Sequence, residues 1–339
     1  MSLMREEALS APERIASQLR ANETAVYALA DRLKQQPPRA LLSVARGSSD
    51  HAAGYISYLI MQCMGIPAAS LPLSLTTLEE TAWRVDEMLA LAISQSGQSP
   101  DLVAMQRSLG DAGAMTLAMI NAPDSPLAAV SETTLALHAG EERSVAATKS
   151  FLATLAAGAQ LVGAWRKDET LLQALKSLPE RLRESAGMDW SIAVNALHDV
   201  SHMMVVGRGS MLAIAQEAAL KFKETCAIQA EAFSGAEIRH GPMALIEQGY
   251  PVLILAPPGA AQPDLRELAA TFRGRGARVL LAADERVAER DLPLMCADHE
   301  LLHPLCVIQS FYLMIEQLAR ARGLDPDHPR HLNKVTETR

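Results

Sequence analysis

The chain has 339 residues, enough for two ordinary domains and a sizeable core, and its 49% hydrophobic and 21% charged residues strike a soluble globular balance. Aromatic residues make up only 4%, so aliphatic and methionine side chains must fill the interior. A net charge of −8 argues against a nucleic-acid surface, which needs a basic stripe, but does not exclude an anionic small molecule in a local pocket.

The first stretch, MSLMREEALSAPERI, is charged and lacks the apolar run of a signal peptide. Residues 1–35 read as one polar helix with apolar positions at Ile15, Leu19, Val26, Leu29 and Leu33, ended by Pro37-Pro38. A first domain is expected over 36–165. It opens on ALLSVARGSSDHAAGYISYLI, a strand-like run, a Gly-Ser turn and a helix. A second greasy strand ends near Ile93, GAMTLAMIN is a third, TTLALHA a shorter fourth, and Val145–Trp165 reads as the closing helix. A charged helical connector is expected over 166–192.

The pattern then repeats over 193–325. HMMVVGRGSMLAIAQEAALKF matches the opening stretch, down to Arg46-Gly47-Ser48 against Arg208-Gly209-Ser210. YPVLILAP, GARVLLAAD and DLPLMCA follow in the same order, and Val307–Arg322 reads as the closing helix. Residues 326–339 remain as a C-terminal tail. Alternating strand and helix signals predict parallel sheets with helices on both faces, so the fold class is α/β: two tandem doubly wound αβα domains. No uninterrupted apolar stretch reaches membrane-spanning length. The cysteines, Cys63, Cys226, Cys296 and Cys306, form no C-x-x-C pair and read as reduced thiols of a cytoplasmic protein.

The strand ending at Ile93 stops at Ser94-Gln95-Ser96-Gly97-Gln98-Ser99, followed by Pro100-Asp101. Ser99 stands where an N-cap belongs and Pro100 at the first helical position. Such a turn offers backbone N–H groups and the positive end of a helix dipole. Ser94, Ser96 and Ser99 add hydroxyls, and Gly97 lets a bulky anion approach the backbone. The bland alternative is a capped surface turn. The repeat favours a phosphate site, because the second copy reads APPGAAQPD and has lost the hydroxyls while keeping the strand. Ser48 and Ser49, at the tip of the first strand, would line the same crevice.

Lys221 and Glu224 share a helix face at i, i+3, which alone is usually a solvated ion pair. His240 lies in a constrained loop, and Glu with His near a phosphate is equipment for moving protons on a sugar. Lys334, in a polar terminus, reads on its own as a solvated charge. His299-Glu300-Leu301-Leu302-His303 matches a zinc-protease pattern formally. That pattern needs both histidines on one helix face, and Pro304 would deny a continuing helix its backbone donor. His328 and His331 make a weak metal pair. No Gly-rich nucleotide motif follows a strand, so dinucleotides and nucleoside triphosphates are not indicated; proton transfer on a sugar requires no metal or organic cofactor, and none is expected.

Together Gly47-Ser48-Ser49, Ser94–Ser99, Ala147-Thr148-Lys149, Leu220–Glu224, Glu237–Pro242 and Asn333-Lys334 resemble the sugar isomerase (SIS) domain family. They most resemble the isomerase modules of the glucosamine-6-phosphate synthases. The resemblance implies flavodoxin-like domains, with Ser48, Ser49, Ser94, Gln95, Ser96, Gly97 and Ser99 on the sugar phosphate. Val145, Ala147 and Asn333 would touch the rest of the sugar. It also implies His240 opening the ring from a neighbouring subunit of a homodimer, and Glu224 carrying a proton between C1 and C2. Lys221 would lie beside Glu224, and Lys334 would sit on a tail over the sugar as a Schiff-base amine. No glutaminase domain fits before residue 40, so the expected reaction is the reverse one, release of ammonia from glucosamine 6-phosphate. Another amino-sugar phosphate, such as a galactosamine or fructosamine phosphate, is the alternative. A non-catalytic sugar-phosphate sensor is a third reading, which lacks the basic DNA-binding segment such regulators carry.

Overall fold

A computed structural model describes residues 1–334. The chain divides into two compact units. The first holds Glu13–Glu142, Lys149–Lys176 and Asn333–Lys334; the second holds Met1–Pro12, Arg143–Thr148 and Ser177–Leu332.

The first sheet contains β1 (Leu41–Val44), β2 (Ala68–Ser70), β3 (Leu89–Ser94), β4 (Met115–Ile120) and β5 (Thr133–Ala136), in spatial order β2-β1-β3-β4-β5. Every pairing is parallel; Leu41 lies opposite Ala68 on one side and Leu89 on the other. The second sheet contains β6 (His202–Gly207), β7 (Gln229–Ser234), β8 (Pro251–Ala256), β9 (Arg278–Ala283) and β10 (Leu292–Pro293), in order β10-β9-β8-β6-β7. These pairings are parallel too. Counted within each repeat, both orders are second, first, third, fourth, fifth, which is the flavodoxin-like winding. The chain is therefore α/β with two doubly wound sheets, as the alternating pattern predicts.

The sheet centres follow from composition. Strands β1, β3 and β8 are buried along their whole length and consist of Leu, Ala, Val, Ile, Pro and Ser. Burial on both faces demands this kind of near-continuous apolar run. Around the first sheet, Val44, Ala92, Leu102, Met105, Leu109 and Ile120 form one core cluster. Around the second, Val206, Ile254, Leu265, Leu268, Phe272 and Leu281 form another. Each large aliphatic side chain so buried contributes about 1.5–3 kcal/mol.

Each repeat holds one strand more than the four read from the sequence. The extra strands, β2 and β7, are edge strands. Ala-Ala-Ser is too short to stand out, and Gln229–Ser234 carries polar side chains on exposed positions, so neither shows an apolar run.

Helix boundaries also differ from expectation. Residues 1–35 form two helices, α1 (Leu3–Ala21) and α2 (Glu23–Gln35). They separate at the buried Asn22, whose Nδ2 donates to the Ala136 carbonyl at 2.8 Å. The helices flanking the first sheet are α3 (Ser48–Met64), α4 (Ser74–Thr77), α5 (Pro100–Asp111), α6 (Pro126–Ala129) and α7 (Lys149–Arg166). Then come α8 (Glu169–Ala186), α9 (Ser191–Leu197), α10 (Met211–Cys226), α11 (Gln262–Gly274) and α12 (His303–Ala321).

Helix α7 begins at Lys149, not Val145, because the Val145 N–H is spent on the Asp327 carbonyl and the segment runs as a loop. Helix α12 begins at His303, ahead of the expected Val307. Pro304 therefore opens this helix, in the first turn where a missing N–H costs nothing. Residues Glu300–Leu302 form a short 3₁₀ turn, and His299 accepts from the Leu301 N–H as its cap. The two histidines of the zinc-protease pattern thus do not share a helix. No cluster of three His, Cys, Asp or Glu suited to a metal exists among the described residues. Glu300–Ala321 is apolar enough to cross a membrane on composition, yet 94% of its apolar window is buried inside the fold.

Candidate active site

In a doubly wound sheet the loops after the first and third strands depart to opposite faces and leave a crevice between them. In the first unit those loops follow β1 and β3, and both carry predicted site residues. Arg46-Gly47-Ser48-Ser49 leads from β1 into the long helix α3. Gly47 takes a positive φ of 53°, and the Ser49 N–H bonds the Arg46 carbonyl. Ser48 and Ser49 are half-buried at this helix start.

The loop after β3 is a tight turn. Ser94 is buried, and its Oγ accepts from the Gly97 N–H at 2.9 Å; Ser96 Oγ is 3.4 Å from the Gln98 N–H. Each of these oxygens accepts, and each hydroxyl proton still has to be donated. Gly97 has φ +64°, and a Cβ there would fall 2.2 Å from Ser125 Oγ and 2.4 Å from Ile120 Cδ1, so only glycine closes this turn. Ser99 occupies the N-cap of α5, but its hydroxyl makes no capping bond. Gln95 is half-buried beside these serines. The loop after β1 is tied to α5 by an ion pair that the sequence does not announce. Arg46 Nε and Nη2 both reach Asp101 Oδ2, at 2.7 and 2.6 Å.

The first unit also holds Lys334. Its Nζ lies 3.5 Å from Glu142 Oε2, and the Glu142 side chain is fully buried. Glu142 is fixed at the start of α7, where it accepts from the Ser150 N–H at 3.2 Å and from Ser150 Oγ at 2.5 Å. Asn333 is exposed.

In the second unit, α10 presents the proton-transfer candidates. Lys221 Nζ is 2.7 Å from Glu224 Oε2 and 3.2 Å from Glu217 Oε1. The Lys221 side chain is 1% exposed and that of Glu224 is 20% exposed, so this is not the solvated pair its spacing alone would give. Burial opposes the lysine charge, but the Glu217 and Glu224 carboxylates outweigh it and hold the ammonium above its ordinary pKa. Glu217 also accepts from the buried Tyr312 hydroxyl at 3.2 Å. Lys221 is therefore a fixed cation that orients Glu224, whose partly exposed carboxylate faces outward from a buried support. His240 ends the 3₁₀ turn Glu237–His240, whose Ile238 is buried while the imidazole is exposed. Val145 and Ala147 are half-buried in the loop Arg143–Thr148.

The predicted residues fall into two sets. Ser48, Ser49, Ser94–Ser99, Asn333 and Lys334 belong to the first unit; Val145, Ala147, Lys221, Glu224 and His240 belong to the second. Sequence reasoning missed Glu217, Tyr312, Glu142 and the Arg46–Asp101 pair. Glu217 carried a readable signal, since it is four residues before Lys221 on one helix face. Glu142 and Lys334 are too far apart in sequence for any local pattern to pair them.

Comparison with known proteins places the fold among known families. The family model described as "SIS domain" matches residues 36–164 and 196–287. Glutamine–fructose-6-phosphate aminotransferase (isomerizing) of Methanothermobacter thermautotrophicus is 33% identical over 299 residues, covering 86% of this chain and 50% of that protein. The chain spans about half the length of the curated relatives it matches. Among solved structures, a presumed phosphosugar isomerase from Silicibacter pomeroyi superposes with TM-score 0.91 at 42% identity, over 96% of this chain and 100% of that one. A glucosamine-6-phosphate deaminase from Thermotoga maritima has the same fold, with TM-score 0.80 at 22% identity over 99% of this chain and 100% of that one.

Proposed function

The chain belongs to the SIS domain family, and on that premise we propose that it is a phosphosugar isomerase-type enzyme that releases ammonia from glucosamine 6-phosphate. The observation that carries this reading is Glu224: a carboxylate one-fifth exposed, braced at 2.7 Å by a buried lysine. A base for moving a sugar proton must be fixed, ionised and able to reach its substrate.

The serines of the Ser94–Ser99 loop, with Ser48 and Ser49, would hold the 6-phosphate. Charge-assisted hydrogen bonds of about 1.5–3 kcal/mol each suffice for a sugar phosphate. His240 would pass a proton to the ring oxygen as the C1–O5 bond opens. Glu224 would then take the proton from C2 of the open aldehyde and return it to C1. The aldehyde becomes an alcohol and the C2 amine becomes an imine. Water adds to C2, the C–N bond breaks, and ammonia leaves fructose 6-phosphate. The Lys334 amine would hold the ketose by condensing with its C2 carbonyl with loss of water, a bond that water hydrolyses again before fructose 6-phosphate leaves. These steps need no metal or organic cofactor. Asn333, Val145 and Ala147 are read as further sugar contacts.

A Schiff-base role for Lys334 and a proton shuttle at Glu224 serve either direction of the reaction.

The test is direct. Purified protein mixed with glucosamine 6-phosphate should yield ammonia and fructose 6-phosphate in equal amounts. Absence of product, with turnover of a galactosamine or fructosamine phosphate, would replace the substrate and keep the mechanism. Glu224→Gln should lose about 10²–10⁴-fold in turnover and stop exchanging the C2 proton with solvent. Full activity in that variant ends the shuttle assignment. We also read the enzyme as a homodimer in which His240 serves the neighbouring subunit. Mixing inactive Glu224→Gln and His240→Ala subunits should then restore partial activity, and no restoration would place both groups on one subunit.

A further inference from the structure

We propose that Arg46 sets the charge of the first crevice: by neutralising the buried Asp101 carboxylate it allows a phosphate dianion to occupy the Ser94–Ser99 loop. The inference rests on the reading that this loop holds the substrate phosphate, and it names a residue on which binding of the phosphate depends.

Asp101 lies two residues after Ser99, in the first turn of α5, and its side chain is 0% exposed. Both oxygens are engaged: Oδ1 by the Leu102 N–H at 2.8 Å, Oδ2 by the two Arg46 nitrogens. A carboxylate in the first turn stabilises the helix through its dipole. That same positive end is what would attract a bound phosphate. Two anions therefore compete for one helix terminus and repel each other, and water cannot screen the buried one. Arg46 removes the conflict. It is the single basic residue in the two loops, Ala45–Ser49 and Gln95–Ser99. Its side chain remains 51% exposed, so the cation sits at the crevice rather than in the core.

The second unit supplies an internal control. Arg208, in the repeated Arg-Gly-Ser triplet, pairs with Asp264 of the repeated Pro-Asp at 2.9 Å. Here one nitrogen makes the contact and Asp264 is 57% exposed. Solvent screens that carboxylate, so the pair carries little energy, and the loop before it has no hydroxyls to hold an anion. The same clasp occurs twice, but only next to the serines is its acid buried.

The experiment compares Arg46→Gln, Arg46→Gln/Asp101→Asn, Arg46→Lys and Arg208→Gln. Each is read by calorimetric binding of inorganic phosphate and by KM for glucosamine 6-phosphate. Arg46→Gln should weaken phosphate about ten-fold or more, by like-charge repulsion, and raise KM in step while kcat changes little. Removing the acid as well should recover most of the loss. Arg46→Lys, which keeps the charge and loses the fork, should bind phosphate nearly as wild type. Arg208→Gln should match wild type. Unchanged phosphate binding in Arg46→Gln overturns the proposal. So does a double variant as weak as the single one, or an Arg208→Gln as weak as Arg46→Gln. Should Arg46→Gln fail to fold, the lysine variant decides: loss of phosphate binding with the charge retained would make the clasp structural. Ser96→Ala separates the two levels. If it leaves phosphate affinity untouched, the loop reading itself fails; if it weakens phosphate while Arg46→Gln does not, only the inference on Arg46 fails.

Discussion

Ser99 and Gln262 each stand directly before a Pro-Asp pair at the start of a helix, one in each repeat. Ser99 makes no cap bond. Gln262 is engaged with its own unit: its Nε2 donates to the Ala256 carbonyl at 2.9 Å and to Asp284 Oδ2 at 2.7 Å. Asp284 follows β9 and in turn takes the Arg286 N–H and Nε on Oδ1. The matching residue after β4 is Asn121, whose amide turns to the Ala139 N–H and the Gly140 carbonyl instead. The same sheet order and the same Arg–Asp clasp therefore support two different crevices. In the second, Gln262, Asp284 and Arg286 bond one another across the strand ends. In the first, the Ser99 hydroxyl makes no bond to the helix it caps. On the function proposed above, differences at the strand ends, and not in the scaffold, separate the copy that holds a phosphate from the one that does not.

The second unit also keeps its charges inside, and the largest effect tests that. Lys221→Met leaves Glu217 buried without its cation, so the variant should lose about 3–5 kcal/mol of stability in denaturant unfolding. Adding Glu217→Gln should return part of it, because the stranded carboxylate is gone. A fully stable Lys221→Met would mean that α10 does not depend on its internal charge.

Acid should find the second unit first. His303 is buried at the start of α12, its Nδ1 has no hydrogen-bond partner among the described residues, and burial, with His299 nearby, lowers its pKa to about 4. The folded value lies below the unfolded one of about 6.5, so the unfolded chain binds the extra proton. Stability is full above the unfolded value and falls as pH drops toward the folded one, by up to about 3 kcal/mol. His303→Gln should flatten the stability profile between those two values. An unchanged slope would assign it to other groups. Asp284, held near 2 against its burial by Arg286 and Gln262, should add a second loss only between about pH 4 and 2.

What was legible follows the physics of these regions. The central strands are long apolar runs, so β1, β3, β4, β6, β8 and β9 could be read from composition. Edge strands β2 and β7 need no such run and gave no signal. The serine loop was readable because Gly97 and Pro100 are local requirements of one turn. The shift of α12 to His303 was not, because a proline that ends a helix and one that opens it look alike without the preceding turn. Glu142 lies beyond any pattern, since its partner lysine comes from the far end of the chain. Lys221 looked like a surface cation because burial is a tertiary property.

The smallest effects sharpen the comparison most. Ser99→Ala removes a hydroxyl that makes no cap bond in the protein, so it should cost little stability. If that hydroxyl serves a phosphate, the loss of one hydrogen bond to a charged group, about 1.5 kcal/mol, should raise KM roughly ten-fold. Ser210, the second repeat's counterpart of Ser48, caps no helix with its side chain. Ser210→Ala should leave both stability and KM within about 0.5 kcal/mol of wild type, as for any surface change remote from a special feature. The contrast between the two alanines is the result that matters. Equal rises in KM would mean that the second crevice takes part in binding; no rise in either would mean that the Ser99 hydroxyl does not serve the phosphate.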